Sequence, residues 1–245
     1  MTRSPDTGGR DRPPEHGCVD ETAVDLAAII DGSVAQLWQT IESLERLQPR
    51  NLDRFRVSIF GSGRIHETDP LYGQAAELAR RLAEAGCELV TGGGSGLMQA
   101  VDHGASHGAL SRPAGGGLPV RLVSDDGRTP FVEQVYRHRT FFSRLHQFVR
   151  LSSAFIVFPG GIGSTLEAML VWQLLQVKHL PPTPFLLFGR HWRGLYDWIA
   201  GEALSSGYID PEDARLPTLV DTVDDASQLI LPKLAEFLEN QAASE

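Results

Sequence analysis

Residues 159–167 read Pro-Gly-Gly-Ile-Gly-Ser-Thr-Leu-Glu. Gly160, Gly161 and Gly163 carry no Cβ, so a phosphate oxygen can come close to the backbone there. Ser164 and Thr165 add hydroxyl groups and suit the N-cap of a helix continuing through the apolar run Leu166 to Trp172. A helix N-terminus leaves N–H groups unpaired and carries partial positive charge, which favours an anion. Glu167 falls one turn into that helix. A carboxylate at that place would lie just beyond the phosphate, where a ribose would be.

Two more glycine turns accompany this one. Gly61-Ser62-Gly63 follows the apolar run that begins at Phe55, and Thr91-Gly-Gly-Gly-Ser-Gly96 follows Cys87 to Val90. Gly61, Ser62, Gly94 and Ser95 are therefore candidate phosphate or nucleotide contacts. Met98, which opens the next helix, is placed to touch a base. A Walker loop needs Gly-Lys-Ser/Thr, and no turn here supplies that lysine. The dinucleotide fingerprint fails as well, because His66 and Leu166 stand where its third glycine belongs. A pocket for a single phosphate remains.

The elements that position these turns alternate between strand and helix. Strands are expected at 55–61, 87–90, 118–123, 154–158 and 184–189, each a short apolar run. Helices are expected at 71–85 with Gly86 as C-cap, 97–107, 136–151, from the central motif to 177, 191–205 and 226–238. Residues 124–134 read as a polar loop, and 24–47 as one or two further helices. This alternation predicts an α/β fold: a Rossmann-like, doubly wound parallel sheet with helices on both faces. Ligands in such sheets bind beyond the carboxyl ends of the strands, where all three glycine turns fall.

Composition narrows the function classes. The 245 residues carry a net charge of −9, which argues against a general nucleic-acid-binding surface. Residues 1–22, rich in Pro, Gly, Arg and Asp, are expected to form a disordered tail, and 23–245 a single nucleotide-binding domain. Cys18 and Cys87 have no metal spacing and read as free thiols, Cys87 in the core. No apolar run reaches membrane-span length and no apolar signal core is present, so no membrane partner and a cytoplasmic location are expected.

The two longer glycine motifs resemble signatures of the Lonely Guy (LOG) family, once described as lysine decarboxylases. Thr91-Gly-Gly-Gly-Ser-Gly-Leu-Met98 is similar to the first, and Pro159 to Glu167 to the second, P-G-G-x-G-T-x-x-E. The resemblance covers about Phe55 to Leu204. It implies a Rossmann-like fold, usually a homodimer with the site near the interface. The implied activity is that of a phosphoribohydrolase, splitting a nucleoside 5′-monophosphate of the AMP or cytokinin-ribotide type into free base and ribose 5-phosphate. It implies no metal and no organic cofactor. It also implies a catalytic role for Arg144, which matches the arginine of an Arg-Lys pair upstream of the second signature. The chain departs from the pattern at three places: Leu145 replaces the lysine, Ser164 the threonine, and Leu166 an acidic residue often found before the signature glutamate.

Breaking an N-glycosidic bond builds positive charge on the ribose ring. Glu167 can stabilise that cation, bind ribose hydroxyls or orient the attacking water. Arg144 stays charged and can fork to oxygens or ring nitrogens. A carrier or sensor that binds a phosphorylated ligand, a nucleotide or a molybdenum cofactor, without cleaving it is the alternative. Other candidates read as structural. His103 and His107 stand four apart with no third metal ligand, Trp172, Trp192 and Trp198 suit core or interface positions, and 221–225 reads as a loop and helix cap. Arg137, His138 and Arg139 form a small basic cluster, at a solvated helix start or facing the anion.

Overall fold

A computed structural model describes residues 54–110, 120–123, 134–137 and 141–243. The expected tail, the helices of 24–47, Cys18 and the loop of 124–133 lie outside the described residues, as does the basic cluster's His138 and Arg139.

The strands are β1 (Arg56–Phe60), β2 (Glu88–Thr91), β3 (Val120–Val123), β4 (Gln134–Arg137), β5 (Ala154–Val157), β6 (Phe185–Phe188) and β7 (Thr218–Val220). They form one sheet in the order β4-β3-β2-β1-β5-β6-β7, every neighbouring pair parallel. The chain runs outward from β1 to β4, crosses back to β5 on the other side of β1, and runs outward again. β1 and β5 therefore flank the point where the strand order switches. The helices are α1 (Pro70–Ala85), α2 (Leu97–Leu110), α3 (Phe141–Leu151), α4 (Ile162–Gln176), α5 (Arg193–Trp198, continued as a π-helical segment Ile199–Ala203), α6 (Pro211–Ala214) and α7 (Val223–Ala242).

Alternate strand residues feed two apolar layers, as a period of two requires. Val57, Ile59, Leu89 and Ile156 face α1, α2 and α7. Phe60, Val90, Phe155 and Val157 face α3, α4 and the α5 region. Both sheet faces are covered, which is why these strands read as continuous apolar runs. Cys87 is fully buried in the first layer. α1 begins where the Asp69 carboxylate accepts from the Leu71 N–H at 2.9 Å, with Pro70 in the first turn, and closes at Gly86 with φ 108°. α7 is capped by Thr222, whose hydroxyl accepts from the Asp225 N–H.

The sequence reading missed two strands. Gln134–Arg137 is a strand, so the helix expected from Tyr136 starts only at Phe141. Thr218–Val220 was not recognised. Both are the outermost strands of the sheet.

Candidate functional site

Because β2, β1 and β5 are neighbours, the three turns that leave their carboxyl ends lie side by side. They are bonded to one another. The Ser62 N–H donates to Pro159 O at 3.1 Å, the Leu97 N–H to Ser62 O at 3.1 Å, and the Ser95 hydroxyl to Gly63 O at 2.9 Å. Gly96 has φ +68°, and a Cβ there would lie 2.5 Å from the Gly63 carbonyl carbon. No other residue fits between the first two turns without moving them.

A cavity of about 780 Å³ opens over these turns. Its walls include Gly61, Ser62, Gly63, Arg64, Gly92, Gly93, Met98, Arg144, Gly161, Ile162, Gly163, Ser164 and Glu167. A Cβ added at Gly161 or Gly163 would meet nothing within 4 Å, so the glycines leave open space there. Gly61 has a different reason to be glycine. A Cβ on it would lie 2.2 Å from Leu97 Cδ2, so its smallness seats the start of α2.

α4 begins at Ile162, two residues before Ser164. Its N-cap is Gly161, which offers no side-chain acceptor, rather than Ser164 or Thr165. The N–H groups of Ile162, Gly163 and Ser164 have no carbonyl one turn back to bond, and these residues line the cavity. The first α-helical bond is Thr165 N–H to Gly161 O at 3.0 Å, and the Thr165 hydroxyl donates to the same oxygen. Ser164 is buried and tucked under Gly160, where a Cβ would lie 2.2 Å from its Oγ. The helix is tied down further along by the Trp172 indole N–H, which donates to Asp213 O at 2.8 Å.

Glu167, half-buried in the wall, has its carboxyl pushed up to about 7 by loss of solvation, while the positive charge of Arg144 pulls the other way. Arg144 comes from α3, and its Nη1 lies 4.0 Å from the point a Cβ on Gly92 would occupy. The cavity thus joins a cation, a carboxyl poised between its two states, and open backbone donors at a helix start. That set can hold a phosphate, a sugar and a leaving group at once.

Gly94, Ser95, Gly160 and Thr165 do not line the cavity, whereas Gly92 and Gly93 do. The strand ends at Thr91, so the first residues past it are the ones that turn over the sheet. Arg64 and Ile162 also line it and were not singled out from the sequence. Their signal was adjacency to glycine turns already identified. Two of the three departures from the family pattern lie off the cavity, Leu145 packed in the interior and Leu166 facing outward from α4, whereas the third, Ser164, lines it. His107 Nδ1 sits 2.8 Å from His103 O, a bond within one helix. Among the described residues no group of three or more His, Cys, Asp or Glu is placed to hold a metal.

Residues 98–230 match the family model described as "Possible lysine decarboxylase". The probable cytokinin riboside 5′-monophosphate phosphoribohydrolase LOGL3 of Oryza sativa subsp. japonica is 30% identical over 190 residues, 76% of this chain and 86% of that protein. Its relative LOGL5 in the same plant is 30% identical over 172 residues, covering 67% of this chain and 65% of that protein, so this chain spans a little under two thirds of it. The cytokinin riboside 5′-monophosphate phosphoribohydrolase of Mycobacterium tuberculosis (strain ATCC 25618 / H37Rv) is 30% identical over 166 residues, 64% of this chain and 84% of that protein. Among solved structures, the molybdenum cofactor carrier protein of Chlamydomonas reinhardtii superposes with a TM-score of 0.53 at 18% identity, over 72% of this chain and 98% of that one. That likeness shows a shared fold. With the family model spanning more than half of the chain and relatives matched over most of their length, this chain belongs to the LOG family, the group first described as possible lysine decarboxylases.

Proposed function

We propose that the protein is a nucleoside 5′-monophosphate phosphoribohydrolase, acting in the cytoplasm as a homodimer. The observation that carries this reading is Glu167, a carboxyl raised to about 7, in one cavity with Arg144 and the open start of α4. In the reaction, water adds to C1′ of the ribose, the C1′–N bond breaks, and its electron pair leaves with the base, which takes up a proton. The phosphate rests on the backbone of Gly161 to Ser164, with Ser164 and the Gly61–Ser62 turn beside it. Ionised Glu167 faces the ribose, offsets the charge developing on the ring and accepts a proton from the attacking water. Arg144 offers its fork to the base or the ribose oxygens. Gly92, Gly93 and Met98 complete the wall on the other side.

The homodimer rests on α4. Ile162, Leu166 and Met169 are 88%, 46% and 37% exposed, and at this spacing they form one stripe on the helix that carries Glu167. No helix among the described residues is long and apolar enough to cross a membrane.

The test is incubation with a panel of nucleoside monophosphates, followed by assay of free base and ribose 5-phosphate, with Glu167→Gln as control. Base release that disappears in the variant supports the hydrolase and identifies its base. Tight binding of a monophosphate with no base release would instead assign a carrier or sensor.

A further inference from the structure

One corner of the glycine turn is held from behind by a side chain outside the cavity. His191 lies just past β6, and its Nε2 is 3.1 Å from Gly160 O. A carbonyl oxygen only accepts, so Nε2 carries the proton. The ring is well placed to hold this bond. β6 ends at Phe188, and the next residue, Gly189, has φ +87° and an N–H that donates to Val220 O at 2.7 Å. A single 3₁₀ turn follows, anchored by Trp192, which is 1% exposed. The His191 ring meets the Trp192 ring edge-on, with centroids 5.2 Å apart.

In a trans peptide the C=O and the N–H point in opposite directions, and none of the described peptides is cis. Holding Gly160 O toward His191 therefore turns the Gly161 N–H the other way. Gly161 lines the main cavity, whereas His191 and Pro159 line a second one of about 870 Å³. The preceding carbonyl, Pro159 O, is likewise held by the Ser62 N–H. Two successive peptides of the corner are thus fixed by donors outside the turn itself.

We propose that His191 is a positioning residue that aims the Gly161 N–H at the ligand's phosphate by holding the Gly160 carbonyl from behind. This rests on the placement of the phosphate at the start of α4 in the functional reading above. His191 is exposed, so its truncation removes little packing. The effect should fall on phosphate affinity.

The experiment is calorimetric titration with ribose 5-phosphate of the wild type, His191→Ala and His191→Gln, with melting temperatures in parallel. Losing one hydrogen bond that orients a donor should weaken binding by about five-fold in His191→Ala. Glutamine can present its amide N–H where Nε2 stood, so it should restore affinity to within about two-fold of wild type. Equal affinity in His191→Ala and wild type would overturn the proposal. So would a loss that glutamine fails to rescue and that follows a matching fall in melting temperature. Titration with a product does not require turnover. A protein that binds ribose 5-phosphate without releasing base would thus sink the hydrolase reading and leave the role of His191 decided by the variants. A wild type that binds no ribose 5-phosphate would overturn both.

Discussion

Arg144 on α3 and Glu167 on α4 face the same cavity, and the arginine charge and the burial of the carboxyl act on the Glu167 proton in opposite senses. Burial raises the carboxyl to about 7, and the guanidinium charge opposes that rise. Without the arginine the carboxyl would hold its proton to still higher pH. Without the burial it would be a permanent anion with little affinity for a proton from water. In the proposed reaction the pair would set a base that can both take up and return a proton near neutrality.

Activity should therefore depend on pH through Glu167. With the carboxylate as the working form, kcat/KM for base release should rise with pH through a midpoint near 7 and level off above it. Glu167→Gln should lower the rate by about 10²–10⁴-fold and remove this limb. Arg144→Ala should move the midpoint of any residual activity upward, because the charge that lowers the Glu167 pKa is gone. Arg144→Lys keeps the charge but not the planar fork, so the midpoint should hold while the rate stays low. A pH–rate profile for the three variants checks all of this.

The same raised pKa has a consequence for stability of the opposite sign to that of a salt-bridged acid. In the unfolded chain Glu167 ionises near 4.5, but in the folded protein only near 7. Between these values folding must keep the proton on, and above 7 it must bury a charge. Glu167 thus costs nothing at pH 4, and its cost grows to full size above pH 7. Glu167→Gln should stabilise the protein by about 1–2 kcal/mol at pH 8, after allowance for the half-exposed site, and by little at pH 4. Urea denaturation at the two pH values tests this, and equal shifts at both would contradict it.

The glycines of the turns should separate into two classes. Gly96→Ala forces a side chain onto a φ of +68° and against the Gly63 carbonyl, so it should destabilise the fold by about 1–3 kcal/mol or more. Gly161→Ala has an ordinary φ of −93° and open space around its Cβ. It should leave the melting temperature nearly unchanged while weakening ribose 5-phosphate binding, because the new methyl occupies the room left for the ligand. Thermal melts and titrations on both variants distinguish the two behaviours.

The stripe on α4 offers a test of assembly. Replacing Leu166 and Met169 together by aspartate should leave the monomer folded, since both side chains already face outward. If the stripe is the dimer contact, light scattering should then report half the wild-type mass. An unchanged mass would remove the stripe from the interface.

Much of the site was legible because glycine is read directly from the sequence. Runs of glycine after apolar strands marked all three turns, and Glu167 was placed by its distance from the last of them. Which glycines face the cavity was not legible. Gly92 and Gly93 line it, whereas Gly94 and Ser95 do not, because the direction of a turn depends on φ values that several glycines can adopt equally well. The two missed strands failed for a different reason. β4 and β7 are edge strands of four and three residues. Gln134-Val-Tyr-Arg137 has no continuous apolar run, and Thr218–Val220 is buried only at its last residue. The α4 cap was misplaced because hydroxyl residues draw the boundary toward themselves, whereas the open backbone of Gly161 begins the helix without one.

The sequence by itself determined the alternation of strand and helix, the parallel sheet it demands, and the residue types at the three turns. These follow from local spacing, since burial on both faces of a strand and glycine at a turn each leave a mark within a few residues. That all three turns fall on one side of the sheet was expected from the sequence, and only the tertiary structure decided that they touch and bond to one another. They converge because the chain reverses its direction of travel across the sheet between β4 and β5, which sets β5 beside β1. The proton affinity of Glu167 was decided there too. It depends on what α3 and the neighbouring turns exclude from the cavity, and desolvation is a property of the assembled wall, not of any stretch of sequence.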